Sequence, residues 1–472
     1  MVFSNLVFLY IFLPVVLLLY FIAPKFLKNS VLLVASLLFY AWGEPTYIIL
    51  MLVSIILNYS FGLFISYSKQ DGSRKLLVAF SVISNLAILG FYKYANFFVD
   101  NMNSILDTNY EHQEIPLPIG ISFFTFQAMS YVIDVYRKRV DAQRNFLDLS
   151  LYISLFPQLV AGPIVRYKTV AEQIKERLIT LSSFSKGIQR FILGLSKKVL
   201  IANPLGAIAD EIFSLSAGDL TTSVTWIGII AYTLQIYFDF SGYSDMAIGL
   251  GKMFGFDFEE NFRYPYISRS VSEFWRRWHI SLGNWFKDYV YVPLGGNRVE
   301  KWKIYRNLLI VWSLTGFWHG ASWTFMIWGF YYGVLISLEK FGLERLLQKA
   351  WRPFQHLYVL FIVMIGWVFF RADNFEYSFH YILVMFGLKG NLYSQQSALY
   401  IMDNGIVFLL GIILSMPLFP KFKEFATALS EKNSFLFVAK ETAGSVYYLI
   451  LLLLCTMYIV NSSYNPFIYF RF

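Results

Sequence analysis

The 472-residue chain is 57% hydrophobic and 20% aromatic but only 15% charged, whereas soluble domains carry roughly 25% charged residues. This composition excludes a soluble globular protein and predicts an all-α polytopic membrane protein. The formal net charge of +9 indicates basic loops held against an anionic leaflet and not nucleic-acid binding. The single cysteine, Cys455, excludes an intrachain disulfide and a thiol metal cluster, and no metal site is predicted.

Four apolar runs predict membrane-spanning helices in the N-terminal part of the chain, at 2–23, 31–42, 46–67 and 76–99. Proline and glycine at 43–45 are expected to separate the second helix from the third. Basic residues follow the first and third runs, whereas the loop at 100–116 carries four acids and neither Lys nor Arg. The positive-inside rule therefore predicts that the N-terminus and this loop face outward.

In the middle of the chain the sequence predicts less regular segments. Residues 117–136 form the next predicted span. Residues 146–164 are apolar but are interrupted by prolines, which predicts a re-entrant segment whose broken backbone is shielded by protein. The basic, amphipathic stretch at 167–199 predicts a helix at the cytoplasmic surface. Residues 203–222 are expected on the outer side of the membrane, and residues 224–240 are expected to enter the membrane again.

The block at 259–306 has nine Lys/Arg against five Asp/Glu and many aromatic residues, which predicts the cytoplasmic interface. A hairpin at 308–318 and 322–338 follows, and its bend carries His319. Later spans are expected near 357–370, 406–418 and 446–460, which makes about eleven or twelve crossings. We predict one domain, divided into N-terminal helices (1–116), a re-entrant and catalytic core (117–340), and C-terminal helices with an aromatic tail (341–472).

Two of the five histidines lie in unusual surroundings. His279 follows arginines and tryptophans, and His319 lies in an apolar, glycine-containing turn. A histidine titrates near neutral pH and can pass on a hydroxyl proton, while an ionisable group in an apolar turn is costly unless it serves a pathway. Both are candidate catalytic residues, with hydrogen-bonded packing as the alternative for each. Packing is the interpretation for the other three histidines, His112, His356 and His380.

The residues around His279 are candidates for binding a phosphate-bearing donor, because guanidinium groups bind phosphates bidentately. These candidates are Arg276, Arg277, Trp278 and Lys287, and the alternative role for the cations is to anchor the chain at the interface. Polar residues at the end of the span 224–240 are expected to pair with the basic block 259–306 and not to act in catalysis. They are Asp239, Ser241 and Asp245.

Five sequence stretches, spread over most of the chain, together form a pattern specific enough to indicate a protein family. They are LPIGISF at 117–123, FPQLVAGPI at 156–164, FDFSGYSD at 238–245, the segment 274–282 continuing to YVPLGG at 291–296, and FWHGASW at 317–323. In these stretches the chain resembles the membrane-bound O-acyltransferase family. The resemblance is to the bacterial branch that O-acetylates alginate and peptidoglycan and is related to the D-alanyl transfer protein of teichoic acids.

The resemblance implies a ring of about 11–12 transmembrane helices with re-entrant and interfacial helices and opposed cytoplasmic and extracytoplasmic funnels. It implies an O-acyltransferase of the bacterial cytoplasmic (inner) membrane. The acyl group would come from acetyl-CoA or another acyl thioester, with no permanently bound cofactor, and would serve O-acetylation of a cell-envelope polysaccharide such as alginate or peptidoglycan. His319 matches the catalytic histidine of the family, and His279 matches its second motif histidine. Implied partners are the thioester, membrane lipids and a glycan reached through an SGNH/esterase-fold acetyltransferase.

The C-terminal stretch FIYFRF at 467–472 looks like the C-terminal aromatic motif of this branch and of the small partner peptide in the teichoic acid system, whose tyrosine is proposed to carry the acyl group. Tyr469 is therefore a candidate covalent relay, since a phenol can divide one difficult transfer into two shorter ones. The alternative is an aromatic anchor at the membrane interface.

A transporter or flippase for a lipid-linked sugar or an acyl donor is the alternative from another functional class, because ionisable residues inside a membrane also suit transport. Such proteins often contain repeated halves with broken helices at matching positions. This chain concentrates its polar and aromatic residues in one unrepeated block, which favours the enzyme.

Overall fold

The computed structural model describes residues 2–111, 113–430, 434–462 and 464–467. Within these ranges the chain is helical and contains no β-strand, so the predicted all-α polytopic fold is confirmed. The α-helices are α1 (Leu13–Ile22), α2 (Lys28–Gly43), α3 (Ile48–Tyr67), α4 (Asp71–Leu106), α5 (Ile121–Tyr136), α6 (Phe146–Ser154), α7 (Phe156–Leu159), α8 (Tyr167–Lys175), α9 (Leu181–Ser196), α10 (Asn203–Phe213), α11 (Thr222–Met253), α12 (Val271–Arg277), α13 (Ile280–Phe286), α14 (Lys301–His319), α15 (Trp323–Leu338), α16 (Glu344–Lys349), α17 (Arg352–Arg371), α18 (Phe375–Met385), α19 (Gln395–Leu414), α20 (Leu418–Ser430) and α21 (Ser434–Asn461). Short π-helical or 3₁₀ segments lie at Phe8–Phe12, Lys25–Leu27, Lys197–Ala202, Pro265–Ile267, Lys287–Tyr291 and Glu339–Leu343.

Seven helical runs in the described ranges are long and apolar enough to cross a membrane. They are Lys25–Gly43, Ile48–Tyr67, Asp71–Leu106, Leu181–Phe213, Arg352–Arg371, Gln395–Leu414 and Leu436–Asn461. Six of them contain or overlap predicted spans, and the predicted separation at 43–45 lies between α2 and α3. The segments predicted to cross at 117–136 and 322–338 form helices of 16 residues. The total of eleven or twelve crossings stays a prediction.

The run Leu181–Phe213 differs from the surface helix predicted over 167–199. Helix α8 ends at Lys175, and α9 continues through the π-helical segment Lys197–Ala202 into α10. Lys198 can lie inside this apolar run because its ammonium group pairs with the Asp239 carboxylate at 3.0 Å, with both side chains buried. The charge that suggested a surface position is thus neutralised internally.

The described chain divides into two compact units, Met1–Phe191 with Met246–Glu259, and Ile192–Asp245 with Glu260–Phe472. The single-domain organisation, with its three parts, stays a prediction.

In the first unit, α3 packs against α4 and α5. Asn58 in α3 and Asn85 in α4 are buried and exchange hydrogen bonds of 3.0 and 2.9 Å between their amide groups. Such reciprocal bonds satisfy polar groups that would otherwise meet hydrocarbon. At Gly62, a Cβ atom would lie 2.7 Å from the Tyr131 hydroxyl oxygen, so glycine permits the close approach of α3 and α5.

The interrupted segment 146–164 also belongs to the first unit. Helix α6 ends at Ser154, and α7 begins at Phe156 with a proline in its first turn. Residues 149–167 are all buried. The broken backbone is therefore shielded by protein, as predicted, because lipid could not satisfy its polar groups.

In the second unit, α14 and α15 form the predicted hairpin around His319. The helices touch at Gly316 and Gly329, where an added Cβ atom would lie 2.4 Å from the backbone oxygen of Phe325 or of Trp312. Glycine at both positions permits this approach, because a Cβ atom at either one would collide with the facing backbone. Helix α14 ends at His319 and α15 begins at Trp323, so the bend is short and its position is confirmed.

Replacing Gly329 by leucine is expected to force α14 and α15 apart and to destabilise the protein by about 1–3 kcal/mol, the usual range for overpacking. Thermal unfolding of the purified protein in detergent measures the effect. Gly405→Leu in α19 is the matched control, because a Cβ atom there has no neighbour within 4 Å. Equal losses of stability in the two variants would contradict the importance of this helix contact.

Candidate active site

His319 lies in a wall of aromatic rings at the end of α14. Its side chain is buried. The ring centroids of Trp318, Trp328 and Phe370 lie 5.0, 5.0 and 5.1 Å from its own, and all three rings are steeply inclined to it. Surroundings of this kind exclude water, which strengthens any electrostatic interaction made by the imidazole.

His279 lies at the bend between two short helices, α12 and α13. Ser270 caps α12 by accepting a hydrogen bond from the Glu273 amide at 3.0 Å. The buried Glu339 carboxylate accepts bonds from the Val271 and Ser272 amides at 2.7 and 2.8 Å. An anion at the start of a helix is favourable because the first amides lack partners within the helix. These contacts fix α12, and with it the point where the chain turns.

The backbone of His279 has φ 44° and ψ 53°, a left-handed conformation that costs a residue other than glycine about 1–2 kcal/mol. The bend is held by Asn261, whose side-chain oxygen accepts hydrogen bonds from the Ser281 amide at 3.1 Å and from the Ser281 hydroxyl at 2.9 Å. The Asn261 backbone oxygen accepts a further bond from the Ile280 amide at 3.0 Å. The surrounding structure therefore compensates for an unfavourable local conformation.

The same asparagine sets the tautomer of His279. Its Oδ1 atom lies 3.2 Å from Nδ1 of His279. Since the Ser281 amide can only donate, Oδ1 is the acceptor, and Nδ1 must carry the proton. Burial lowers the pKa of His279 to about 3, so the ring is neutral near pH 7 and its Nε2 atom bears the lone pair.

A cavity of about 170 Å³ is lined by both candidate histidines, His279 and His319. Three tryptophans, Trp275, Trp278 and Trp312, also line it. The structure thus brings together two side chains that are forty positions apart in the sequence. The cavity offers two imidazoles in apolar surroundings, which suits proton transfer to or from a bound hydroxyl.

The four predicted donor-binding residues lie in different positions. Trp278 and Lys287 line the cavity, and Lys287 is exposed. Arg276 is exposed and does not line the cavity. Arg277 pairs with Glu273 at 2.8 Å and donates a hydrogen bond of 3.1 Å to the Arg263 backbone oxygen.

The acidic residues of α11 were predicted to pair with the basic block 259–306. Their ion-pair partners are instead two lysines outside that block. Asp239 pairs with Lys198 at 3.0 Å, and Asp245 pairs with Lys197 at 2.6 Å. Two consecutive lysines of the segment Lys197–Ala202 thus reach two acids on one helix. Ser241, which was assigned with them, is buried.

The remaining histidines differ from the two in the cavity. His356 lies 3.1 Å from the Ser268 backbone oxygen through Nδ1, and His380 lies 3.0 Å from the Ala217 backbone oxygen through Nε2. Both distances are those of hydrogen bonds to the backbone, in agreement with a packing role. His112 lies outside the described residues.

The described part of the C-terminal tail is fastened to the second unit. The Tyr464 hydroxyl donates to Asp210 at 2.6 Å, and Lys198 donates to the Pro466 backbone oxygen. Phe467 is buried, with its ring centroid 4.8 Å from that of Tyr243. Tyr469, the candidate relay, lies outside the described residues.

Asn261 was missed by the sequence analysis. It is fully buried in a loop and lies 18 positions before the histidine that it orients. Neither a helical period nor a motif marks such a residue, because its role depends on a contact formed only in the fold. Among the described residues, no three or more His, Cys, Asp or Glu side chains are grouped to hold a metal ion.

A sequence profile of the membrane-bound O-acyltransferase family matches residues 34–379. The chain belongs to this family. It is therefore a membrane O-acyltransferase, and the family favours the enzyme over the transporter or flippase considered above. Both cavity histidines, His279 and His319, lie within the part of the chain that matches the family.

Three bacterial proteins illustrate what this membrane-bound O-acyltransferase is similar to. It is 43% identical over 426 residues to a probable alginate O-acetylase of Azotobacter vinelandii, in an alignment covering 87% of this chain and 85% of the relative. It is 37% identical over 432 residues to the peptidoglycan O-acetyltransferase of Helicobacter pylori, covering 83% and 80% of the two chains. A teichoic acid D-alanyltransferase of Streptococcus thermophilus is 27% identical over 284 residues, covering 54% of this chain and 68% of that protein.

Replacing Asn261 by leucine is expected to lower the unfolding temperature, because three buried donors lose their acceptor and each unsatisfied group costs about 1–3 kcal/mol. Ser281→Ala is the matched control, since it removes only one of the three bonds. Asn261→Asp keeps an acceptor oxygen and should be more stable than Asn261→Leu. An Asn261→Leu protein as stable as the Ser281→Ala protein would contradict the role of the amide in holding the bend.

Proposed function

We propose that this membrane O-acyltransferase moves an acetyl group from a cytoplasmic thioester, acetyl-CoA, across the bacterial cytoplasmic membrane for O-acetylation of a cell-envelope polysaccharide. The observation that carries the proposal is the cavity lined by His279 and His319, in a chain similar over most of its length to a probable alginate O-acetylase. The similarity to a peptidoglycan O-acetyltransferase supports the same class of acceptor.

His319 is the general base in this proposal. It takes the proton from a hydroxyl, that of Tyr469 or of an acceptor on the outside, while the hydroxyl oxygen attacks the thioester carbonyl carbon. A C–O bond forms, the C–S bond breaks, and the thiolate leaves as a thiol with the proton from the imidazole. The aromatic rings of Trp328 and Phe370 keep water from the thioester, so that transfer competes well with hydrolysis.

His279 has the supporting role. Its Nδ1 atom donates to Asn261, so its Nε2 atom can accept a hydrogen bond from an amide N–H in the arm of acetyl-CoA or from the attacking hydroxyl. Because both histidines line one cavity, a thioester held at His279 would present its carbonyl near His319. Asn261 therefore acts as a positioning residue, since it determines which nitrogen of His279 accepts.

The donor would enter past the basic residues of α12 and the segment that follows α13. Lys287 is exposed and lines the cavity, so its ammonium group suits a phosphate of coenzyme A at the mouth. Trp278 would pack against the acyl-carrying arm, and the exposed Arg276 would meet the outer phosphates. Arg277 is already tied to Glu273 and would hold the shape of the entrance.

Tyr469 would carry the acetyl group between the two transfers. Its phenol oxygen would attack the thioester with His319 as base, forming an aryl ester and releasing the thiol. A hydroxyl of the acceptor, or of a partner esterase-fold acetyltransferase, would then displace the phenol. The fastening of Tyr464, Pro466 and Phe467 supports this role, because it ties the tail to the unit that contains both histidines.

His319→Ala is expected to reduce acetyl transfer by about 10²- to 10⁴-fold, the usual contribution of a general base. The measurements are acetyl-CoA consumption by the purified protein and ester content of the envelope polysaccharide in cells. His380→Ala serves as the control, because this histidine is half-buried and does not line the cavity. Near-normal transfer by a folded His319→Ala protein would reject the base assignment.

Tyr469→Phe keeps the aromatic ring and removes only the hydroxyl, so it separates the relay from an interface anchor. Loss of transfer is expected, together with loss of an acetyl ester on the C-terminal peptide, as measured by mass spectrometry after incubation with acetyl-CoA. Tyr464→Phe is the control within the same tail and should still form the ester at Tyr469. A fully active Tyr469→Phe protein would rule out the relay.

A further inference from the structure

A basic pocket of about 500 Å³ lies in the first unit, apart from the residues that line the histidine cavity. Four cations line it, Lys25, Lys28, Lys175 and Arg177, against one carboxylate, Glu176. Glu176 is paired with Lys25 at 2.6 Å, and Lys175 lies 3.7 Å from the exposed Glu172 of α8, which leaves Lys28 and Arg177 without a carboxylate partner among the ion pairs of the described residues. The lining therefore carries a surplus of positive charge, which favours an anionic ligand.

The cations at the back of this pocket are positioned before any ligand binds. The Arg177 guanidinium donates to the Tyr20 hydroxyl and the Phe254 backbone oxygen at 3.0 Å each, and to Asn29 at 2.8 Å. The Lys28 ammonium group lies 5.0 Å from the centre of the Tyr20 ring. In the part of the chain that the structure describes, no carboxylate pairs with Lys28.

Large apolar side chains surround the basic lining. Phe21 and Leu178 belong to the pocket and are 46% and 87% exposed, and Phe26, which follows Lys25 in the chain, is 79% exposed. The basic residues come from two segments, the connection from the first predicted span into α2 and the end of α8 with the residues that follow it, both predicted on the cytoplasmic side. A cationic pocket with an apolar rim, at the end of membrane helices, matches the cytoplasmic leaflet, where anionic lipids are concentrated.

We propose that this pocket binds the headgroup phosphate of an anionic phospholipid, with the acyl chains lying against Phe21, Phe26 and Leu178. Lys28 and Lys175 meet the phosphate, and Arg177 forms the floor. A soluble phosphate compound would gain the charge contacts but would leave the apolar rim uncovered. The proposal does not depend on the acyl-transfer reaction.

The test uses the purified full-length protein in neutral detergent, titrated with dioctanoyl phosphatidylglycerol while thermal unfolding is followed. Each lysine near a membrane surface contributes roughly 1 kcal/mol of attraction to anionic lipid, so Lys28→Gln is expected to weaken binding roughly fivefold. Lys175→Gln should act similarly, and because Lys175 is exposed its loss should leave the fold intact. Lys28→Arg should restore binding, and Lys349→Gln, an exposed lysine of α16, is the matched control.

Three further probes separate the possible ligands: dioctanoyl phosphatidylcholine, inorganic phosphate and coenzyme A. Stabilisation by phosphatidylglycerol alone, reduced in both lysine variants, is the expected result. Equal stabilisation by phosphatidylcholine, which has no net charge, would contradict the proposed selectivity for an anionic lipid. Equal stabilisation by inorganic phosphate or coenzyme A would replace the lipid by a soluble phosphate, and unchanged affinity in both Lys28→Gln and Lys175→Gln would overturn the site itself.

Discussion

The contact between Gly316 and Gly329 is the constraint on which the candidate active site depends. It lets α14 and α15 touch backbone to backbone, and this determines where α14 can end and where His319 lies. Trp328, next to Gly329, places its ring against that histidine. A side chain at either glycine would displace both the imidazole and part of its aromatic surroundings, so packing and chemistry are set by the same pair of residues.

Polar groups inside the second unit are satisfied in ways that also determine its shape. Glu339 satisfies the first amides of α12, Asn261 holds the bend at His279, and Lys198 joins Asp239 to the backbone of the tail. A buried ion pair adds little net stability, because desolvation offsets the attraction. The pair of Lys198 with Asp239 instead restricts the arrangement of the chain. Separating the two residues would leave an unpaired charge in an apolar interior, so Pro466 and α11 have few alternative positions.

Helix positions were largely predictable from the sequence, and the partners of polar side chains were not. Apolar runs located α3, α4 and α17, and a glycine-containing turn located the bend at His319. The continuous run Leu181–Phe213 was missed because the stretch 167–199 is basic and amphipathic, whereas acids on α11 neutralise two of its lysines, Lys197 and Lys198. Asn261 was missed because its hydrogen-bond partners, His279 and Ser281, lie in a different segment of the chain. Hydropathy is a local property of the chain, but hydrogen bonds and ion pairs depend on which segments meet in the fold.

The single cysteine has a practical consequence for mapping the orientation of the chain in a bilayer. Cys455 is fully buried in α21, with its sulfur 3.6 Å from the Ser196 hydroxyl oxygen. The chain therefore exposes no native thiol to a water-soluble maleimide. Cysteines introduced one at a time into the loops would be the only reactive groups, and the natural residue could stay in place while each loop is assigned to one face of the membrane.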